Sequence, residues 1–573
     1  MAPIGYDRAP GTSVRGRRYG RKAAVAALTA AVSVLAAACG AGSSGSSGSS
    51  ASSASTSTTL VVASAALPST FTFDAASPAG YENLEFGVNT QAGLIRQAYV
   101  PDPGNKDLLL QNLYQFQGVL ASSYDVSPNH LTYTFHLKTN VKSAAGDPLT
   151  ADDVIYSWQR KFNASTSITP YVQAPVITDP ATQVKKISEH TVSFTVAKPG
   201  YGFTLLSLLA NVTGYVYDSK LLKEHATKSD PYAVEWSQNH PDISFGAYNM
   251  SALIPGTEMD LTANPDYPMA APHYKKIIFR VSSDPGARAN AVRYGNADIA
   301  VQLQPSDQIS LAKTGSVKVY SFPSTNMLTM FTMNTTEAPF NNALVRRAMA
   351  EAVPYQQIIS SVYYGRALLT DSLLDPNLPG FVATGLQQPG YDPAAAKKLL
   401  VQAGFPNGVS ATVTVSTAVP DVEAAAIQVQ SYAAQAGFTI KLQQVPPAEM
   451  SVGLTSRKWQ SFMWRDMAIS SAPQYELNLF FQAEPNGAAA ASNSSGWVDP
   501  RYLQIVNDGA ELADPTSVQA NKLWNQAQLV WQEQIPQIYV ARVQPLNAFN
   551  SKIAGYANRL DNDIDFSMLR PAS

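Results

Sequence analysis

The run Ser461-Phe462-Met463-Trp464-Arg465-Asp466-Met467 sets an indole, a guanidinium and a carboxylate side by side. A carboxylate next to an aromatic plate suits a ligand ammonium: the acid offsets a charge that loses its water, and the ring offers its face. Other readings stay open. Asp466 can pair with Arg465 or cap a turn, and Trp464 can be an ordinary core residue. Trp459 and Tyr475 flank the run, as candidates to line the same ligand space or to fill core.

The elements that would position these residues are legible. ATVTVST (Ala411 to Thr417), a helix-patterned run from Val422 to Ala436, FTIKLQQV (Phe438 to Val445), PAEMSVGLTSRK (Pro447 to Lys458) and SFMWRDM alternate as strand, helix, strand, helix, strand. That alternation predicts parallel βαβ units. Pro420-Asp421 marks a helix start and Gly437 a helix end. Ligands of open α/β sheets bind beyond the carboxyl ends of the strands, where Trp464 to Asp466 stand.

At 573 residues the chain exceeds what one core organises, so two or more lobes are expected. Charged residues are 14%, against roughly 25% in typical soluble domains. The net charge of −2 gives no field favouring nucleic acid. One cysteine excludes an internal disulfide, and six scattered histidines argue against a multi-histidine metal site. No resident cofactor is expected. Gly-x-Ser-x-Gly, His-Glu-x-x-His and Gly-x-x-x-x-Gly-Lys motifs are absent, which disfavours a hydrolase or transferase.

The N-terminus reads as an address. Arg15, Arg17, Arg18, Arg21 and Lys22 precede an uncharged run from Ala23 to Ala38, so residues 1–38 are expected to be a signal peptide. That run is short and alanine-rich for a span of about 20 apolar residues. Gly40 to Thr59 is nearly all Gly, Ser, Ala and Thr, a flexible tether reaching roughly 25 Å, and residues 39–66 are assigned to it. Further on, HLTYTFHLK (His130 to Lys138) alternates as a half-buried strand. Thr150 then caps a helix whose Val154, Ile155, Trp158 and Phe162 share one face.

The segment LTYTFHLKTNVKSAAGDPLTADDVIYSWQRKF closely resembles the signature of extracellular solute-binding proteins, family 5, at Leu149, Thr150, Ala151, Asp153, Val154 and Ser157. Further matches follow in order: TVSFTVAKPGYGFTLLSLL (Thr191 to Leu209), FGAYNMSALIPGTEMDLTANPDY (Phe245 to Tyr267), DPGARANAVRYGNADIA (Asp284 to Ala300), MFTMNTTEAPFNNALVRRAMAEAV (Met330 to Val353) and YDPAAAKKLLVQAGF (Tyr391 to Phe405). Cys39 after Leu35-Ala36-Ala37-Ala38 resembles a bacterial lipobox, which implies acylation of Cys39 and attachment to the outer face of the cell membrane.

The resemblance implies an α/β, two-lobed, periplasmic-binding-protein-like (type II) fold with mixed sheets, a hinge between the lobes and an extra subdomain in the first. Lobe I is expected over residues 67–330 with the subdomain about 112–231, lobe II over 331–538, and a return to lobe I over 539–573. The backbone would cross near Phe322 to Asn334 and return near Gln537 to Val543. The resemblance also implies a monomer that captures an oligopeptide and delivers it to an ABC permease with its ATPase subunits. Asp466 would meet the ligand's α-ammonium, with Trp464, Arg465, Trp459, Tyr475 and Asn334 around it. An oligosaccharide, a metal chelate or an opine as ligand, and a peptide-sensing receptor, remain alternatives. Trp497 is expected at the cleft mouth or in a surface turn, and Arg346 and Arg347 on a solvated helix face.

Overall fold

The structure is a computed structural model that describes residues 58–74, 80–164, 167, 169–323, 327–484, 486–490 and 492–573. The proposed signal peptide, Cys39 and most of the tether lie outside the described residues. Two mixed sheets organise the rest. The first contains β1 (Thr59–Ser64), β2 (Tyr248–Ile254), β3 (Glu258–Ala263), β4 (Lys276–Val281), β5 (Ile299–Ala300), β6 (Val317–Lys318) and β13 (Ala548–Asn550), in the order β2-β3-β4-β1-β5-β13-β6. The second contains β7 (Met327–Met333), β8 (Ala367–Leu368), β9 (Val409–Ser416), β10 (Phe438–Val445), β11 (Ser461–Met467) and β12 (Gln537–Val543), in the order β8-β12-β7-β11-β9-β10.

β1 corrects the expected tether. Leu60 and Val62 are buried, and the strand pairs in parallel with both β4 and β5 near the centre of its sheet. The alternating apolar run after Thr59 therefore belongs to the globular body, and the tether cannot extend to residue 66.

Helix α1 (Ala151–Asn163) starts as its sequence dictates. Asp153 Oδ2 accepts from the Thr150 backbone N–H at 2.7 Å, half of a reciprocal capping box. Val154 and Trp158 pack on the four-stranded sheet spanning residues 121–195, which lies inside the range expected for the subdomain. Helix α2 (Tyr201–Leu209) follows and is buried along almost its whole length.

In the second sheet, β9, α3 (Pro420–Ala433), β10, α4 (Pro447–Ser456) and β11 form the expected βαβ units, with β9 parallel to both β10 and β11. Gly437, at φ +96°, makes the turn from α3 into β10, a conformation in which a Cβ is strained. The central strands β7 and β12 are buried at every residue, because helices cover both faces. On one face α3 packs in a cluster with Met463 and Val540. On the other, α5 (Pro473–Leu479) and the helices 500–510 and 518–534 cover Met330, Tyr539 and Trp464.

The chain passes from the first sheet to the second between β6 and β7, and back between β12 and β13. Gln544 ties the two passages: its Oε1 accepts from the Phe322 N–H at 2.7 Å and its Nε2 donates to the Phe322 carbonyl at 2.8 Å. Arg366 braces the same place by donating to Gln308 Oε1 at 2.6 Å and to the Tyr320 carbonyl at 2.8 Å. These contacts hold the two crossover segments side by side.

Candidate functional site

Strand periodicity sorts the residues singled out in the sequence. Leu328 of β7 lies opposite Asp466 on one side and opposite Arg542 on the other, so these three side chains share one face of the sheet. Met330 pairs with Trp464 in the next row of that face. Arg465 points the other way. It forms an ion pair with Asp421 at the start of α3, and its Nη2 donates to Thr329 Oγ1 at 3.2 Å. The grouping of Arg465 with Trp464 and Asp466 therefore has to be corrected: Arg465 belongs to the lobe II core, because neighbours on a strand face opposite sides.

Asp466 stands near the end of β11 with part of its surface open. Burial pushes its carboxyl up to about 7, against which only the Met467 backbone N–H acts. Among the described residues no cation pairs with it. Arg542, two strands away, is committed elsewhere: its Nε donates to Thr370 Oγ1 at 3.1 Å and its Nη1 lies 3.5 Å from Asp375. Trp464 is half-buried, meets Phe480 edge to face at 5.5 Å, and donates its indole N–H to Thr332 Oγ1 at 3.1 Å.

Beyond β11 the segment Ala468 to Gln474 forms the seam with the first lobe. The Ser471 N–H donates to Ser207 Oγ of α2 at 2.6 Å, and Gln97 Nε2 donates to Ser471 Oγ at 3.2 Å. Thr204 Oγ1 donates to Gln474 Oε1 at 3.1 Å. Ala472 and Tyr475 pack in one cluster with Phe73, Leu84, Tyr156 and Leu208. Asp466 thus lies where the two lobes meet, one strand end away from that seam.

The remaining candidates are set apart from this place. Trp459 is buried with Val445, Met450 and Phe462, and its indole fills the space left by Gly453, where a Cβ would lie 1.7 Å from Nε1. Asn334 organises a turn: its Oδ1 accepts from Thr336 Oγ1 at 2.7 Å and its Nδ2 donates to the Arg457 carbonyl at 3.1 Å. Trp497, expected near the surface, is core, stacked edge-on with Phe481 and Tyr502. Arg346 is 4% exposed instead of solvated, and donates to the Gln534 and Phe340 carbonyls.

A wide depression of about 760 Å3 opens elsewhere on lobe II, bordered by Thr336, Arg346, Ala488 and Arg501. Its acid, Asp499, already caps the helix 500–510 and pairs with Arg501 at 3.0 Å, so that carboxylate is committed within the protein. Size alone does not make it the binding site. The interlobe seam carries the better chemistry.

The model of the bacterial extracellular solute-binding proteins, family 5 (middle region), matches residues 115–488. The chain belongs to this family. The probable D,D-dipeptide-binding periplasmic protein DdpA of Escherichia coli K12 is 25% identical over 499 residues, covering 87% of this chain and 91% of that protein. A Helicobacter pylori periplasmic binding protein, DppA, in complex with the peptide STSA superposes with a TM-score of 0.75 at 19% identity, over 90% of this chain and 98% of that one. AgaA of A. tumefaciens R10, in complex with agropinic acid, gives 0.76 at 19% identity, over 90% and 99%. The two-lobed α/β fold of this solute-binding protein is therefore the one its sequence resemblance implied. Among its described residues no helix is long and apolar enough to cross a membrane.

The sequence reading missed Ser207, Gln97, Ser471 and Glu476. The first three are small polar residues in apolar or unpatterned stretches and carry no spacing signal. Glu476 did leave one: it is the lone charge in Tyr475-Glu476-Leu477-Asn478-Leu479-Phe480.

Proposed function

We propose that this solute-binding protein captures an oligopeptide between its lobes, with Asp466 meeting the peptide's α-ammonium. One observation carries the reading. Asp466 is a carboxyl at the lobe junction whose burial is compensated by no cation among the described residues, and a buried charge of that kind calls for a partner from outside. Trp464 beside it offers an apolar wall. The relatives named for dipeptides and the neighbour holding a tetrapeptide supply the ligand class. Exchange between open and closed lobes, with ligand favouring the closed state, would be the working cycle. Delivery to an ABC permease and its ATPase, and tethering through an acylated Cys39, belong to the same proposal.

Isothermal titration calorimetry with a tripeptide such as Ala-Ala-Ala tests it. Asp466→Asn is expected to weaken binding at least tenfold while the far-ultraviolet spectrum stays unchanged. Equal affinity in the two proteins removes Asp466 from the role. An opine without a free ammonium that binds both proteins alike would favour the alternative suggested by the agropinic-acid neighbour.

A further inference from the structure

Asp466 does not stand alone. Glu476 lies near the middle of α5, the helix that packs on the sheet face carrying Asp466, and its Oε1 is buried without a hydrogen-bond partner. Between them comes Tyr475, 1% exposed, whose hydroxyl is likewise unpartnered. The charges of Glu476 and Asp466 both act on that phenol and, after burial itself, hold it well above its ordinary value. The nearest cation, Arg542, is already occupied by Asp375 and by the Ser372 and Leu373 carbonyls. With two carboxyls, an unpartnered hydroxyl and an arginine already committed, the place can hold a second negative charge once a second cation arrives to balance it.

We infer that Asp466, Glu476 and the Tyr475 hydroxyl form a subsite for two cationic groups, so that the preferred ligand is a peptide whose first residue is basic. This rests on the Asp466 reading and adds to it: the α-ammonium takes Asp466 and the first side chain's cation takes Glu476. Two carboxylates in one dry space do not both ionise readily, because each raises the other. Glu476 is held well above the usual carboxylate range by burial, then by Asp466, with Arg542 and the Ser470 backbone N–H opposing. The groups facing the pair are Tyr475 on its own helix, Tyr539 and Arg542 on β12, and Asp375 beyond them. A monocationic peptide leaves the proton on Glu476. A dicationic one displaces it to solvent.

The test compares Ala-Ala-Ala with Lys-Ala-Ala at pH 7.5, each titrated calorimetrically in phosphate and in Tris, whose ionisation enthalpies differ. The wild type is expected to bind Lys-Ala-Ala at least tenfold more tightly and to release more protons on doing so. Glu476→Gln is expected to erase both differences. A wild type without preference, or Glu476→Gln affecting both peptides equally, overturns the inference. If Asp466→Asn abolishes binding of both peptides while no preference exists, the ammonium role stands and only the second subsite falls. If Asp466→Asn changes neither, the Asp466 reading itself fails. Should Glu476→Gln not fold, the two-peptide comparison on the wild type still decides.

Discussion

The buried acid at the proposed site should make the fold less stable as the pH rises, and Asp466→Asn makes that measurable. The Asp466 carboxyl is lifted from the usual 3.8 to about 7, which amounts to about 4 kcal/mol in favour of the protonated form. Between those values the folded protein holds a proton that the unfolded chain has lost. Its stability therefore falls as pH rises through the window and levels off above about 7. Asparagine does not titrate. The variant should match the wild type near pH 4 and exceed it increasingly toward pH 8, by up to about 4 kcal/mol. Glu476 also loses a repelling neighbour, which adds to the gain. Lobe opening caps the difference, because an opened cleft rehydrates the carboxylate at the cost of the Ser207–Ser471 and Gln97–Ser471 hydrogen bonds.

Urea denaturation of both proteins without ligand, at several values from pH 4.5 to 8.5, reads the gap directly. Small-angle scattering on the same samples reports whether the wild type opens. A stability gap that stays constant across this range would refute the reasoning, since a desolvated carboxylate cannot cost the same whether or not it is charged.

Two further predictions concern the frame around the site. Arg465→Met leaves Asp421 buried with its main partner removed, so urea denaturation should show a loss of about 3–5 kcal/mol. Peptide affinity should change less than threefold, because Arg465 faces away from Asp466. Gly200→Ala would set a Cβ 2.6 Å from the Ala510 carbonyl and 2.7 Å from that of Leu512, across the seam where the Gly200 N–H donates to Ala510. It is expected to cost about 1–3 kcal/mol in stability and to enlarge the radius of gyration.

Where sequence reading worked, a local rule decided the structure. Thr150 and Asp153 cap α1 because each side chain lies within reach of the other's free backbone N–H, and Gly437 ends its helix because the turn needs positive φ. The βαβ run was legible for the same reason: each element carries its own period. The body's first strand was obscured by composition, since a Ser/Ala/Thr-rich leader hides the apolar run Leu60-Val61-Val62. Arg465 and Asp466 could have been separated in advance, because alternation alone puts them on opposite faces. Trp459, Trp497 and Arg346 could not. Their burial depends on Gly453, on Phe481 and Tyr502, and on the Gln534 carbonyl, partners brought near only by the fold.

The position of Arg542 shows what the arrangement of charges achieves. Had that guanidinium reached Asp466 instead of Asp375, the cleft would be neutral when empty and would close without cargo. Locked onto Asp375 and the carbonyls of residues 372 and 373, it leaves Asp466 without a paired cation. Most of the remaining seam contacts are neutral: serine and glutamine hydrogen bonds and a packed aromatic cluster. They favour closure equally with or without ligand. Only the carboxyl charge distinguishes the two cases, because a ligand shifts an equilibrium solely by binding its two states unequally. Under the proposed reading, the feature that recognises the ammonium is therefore also the one that makes closure depend on it.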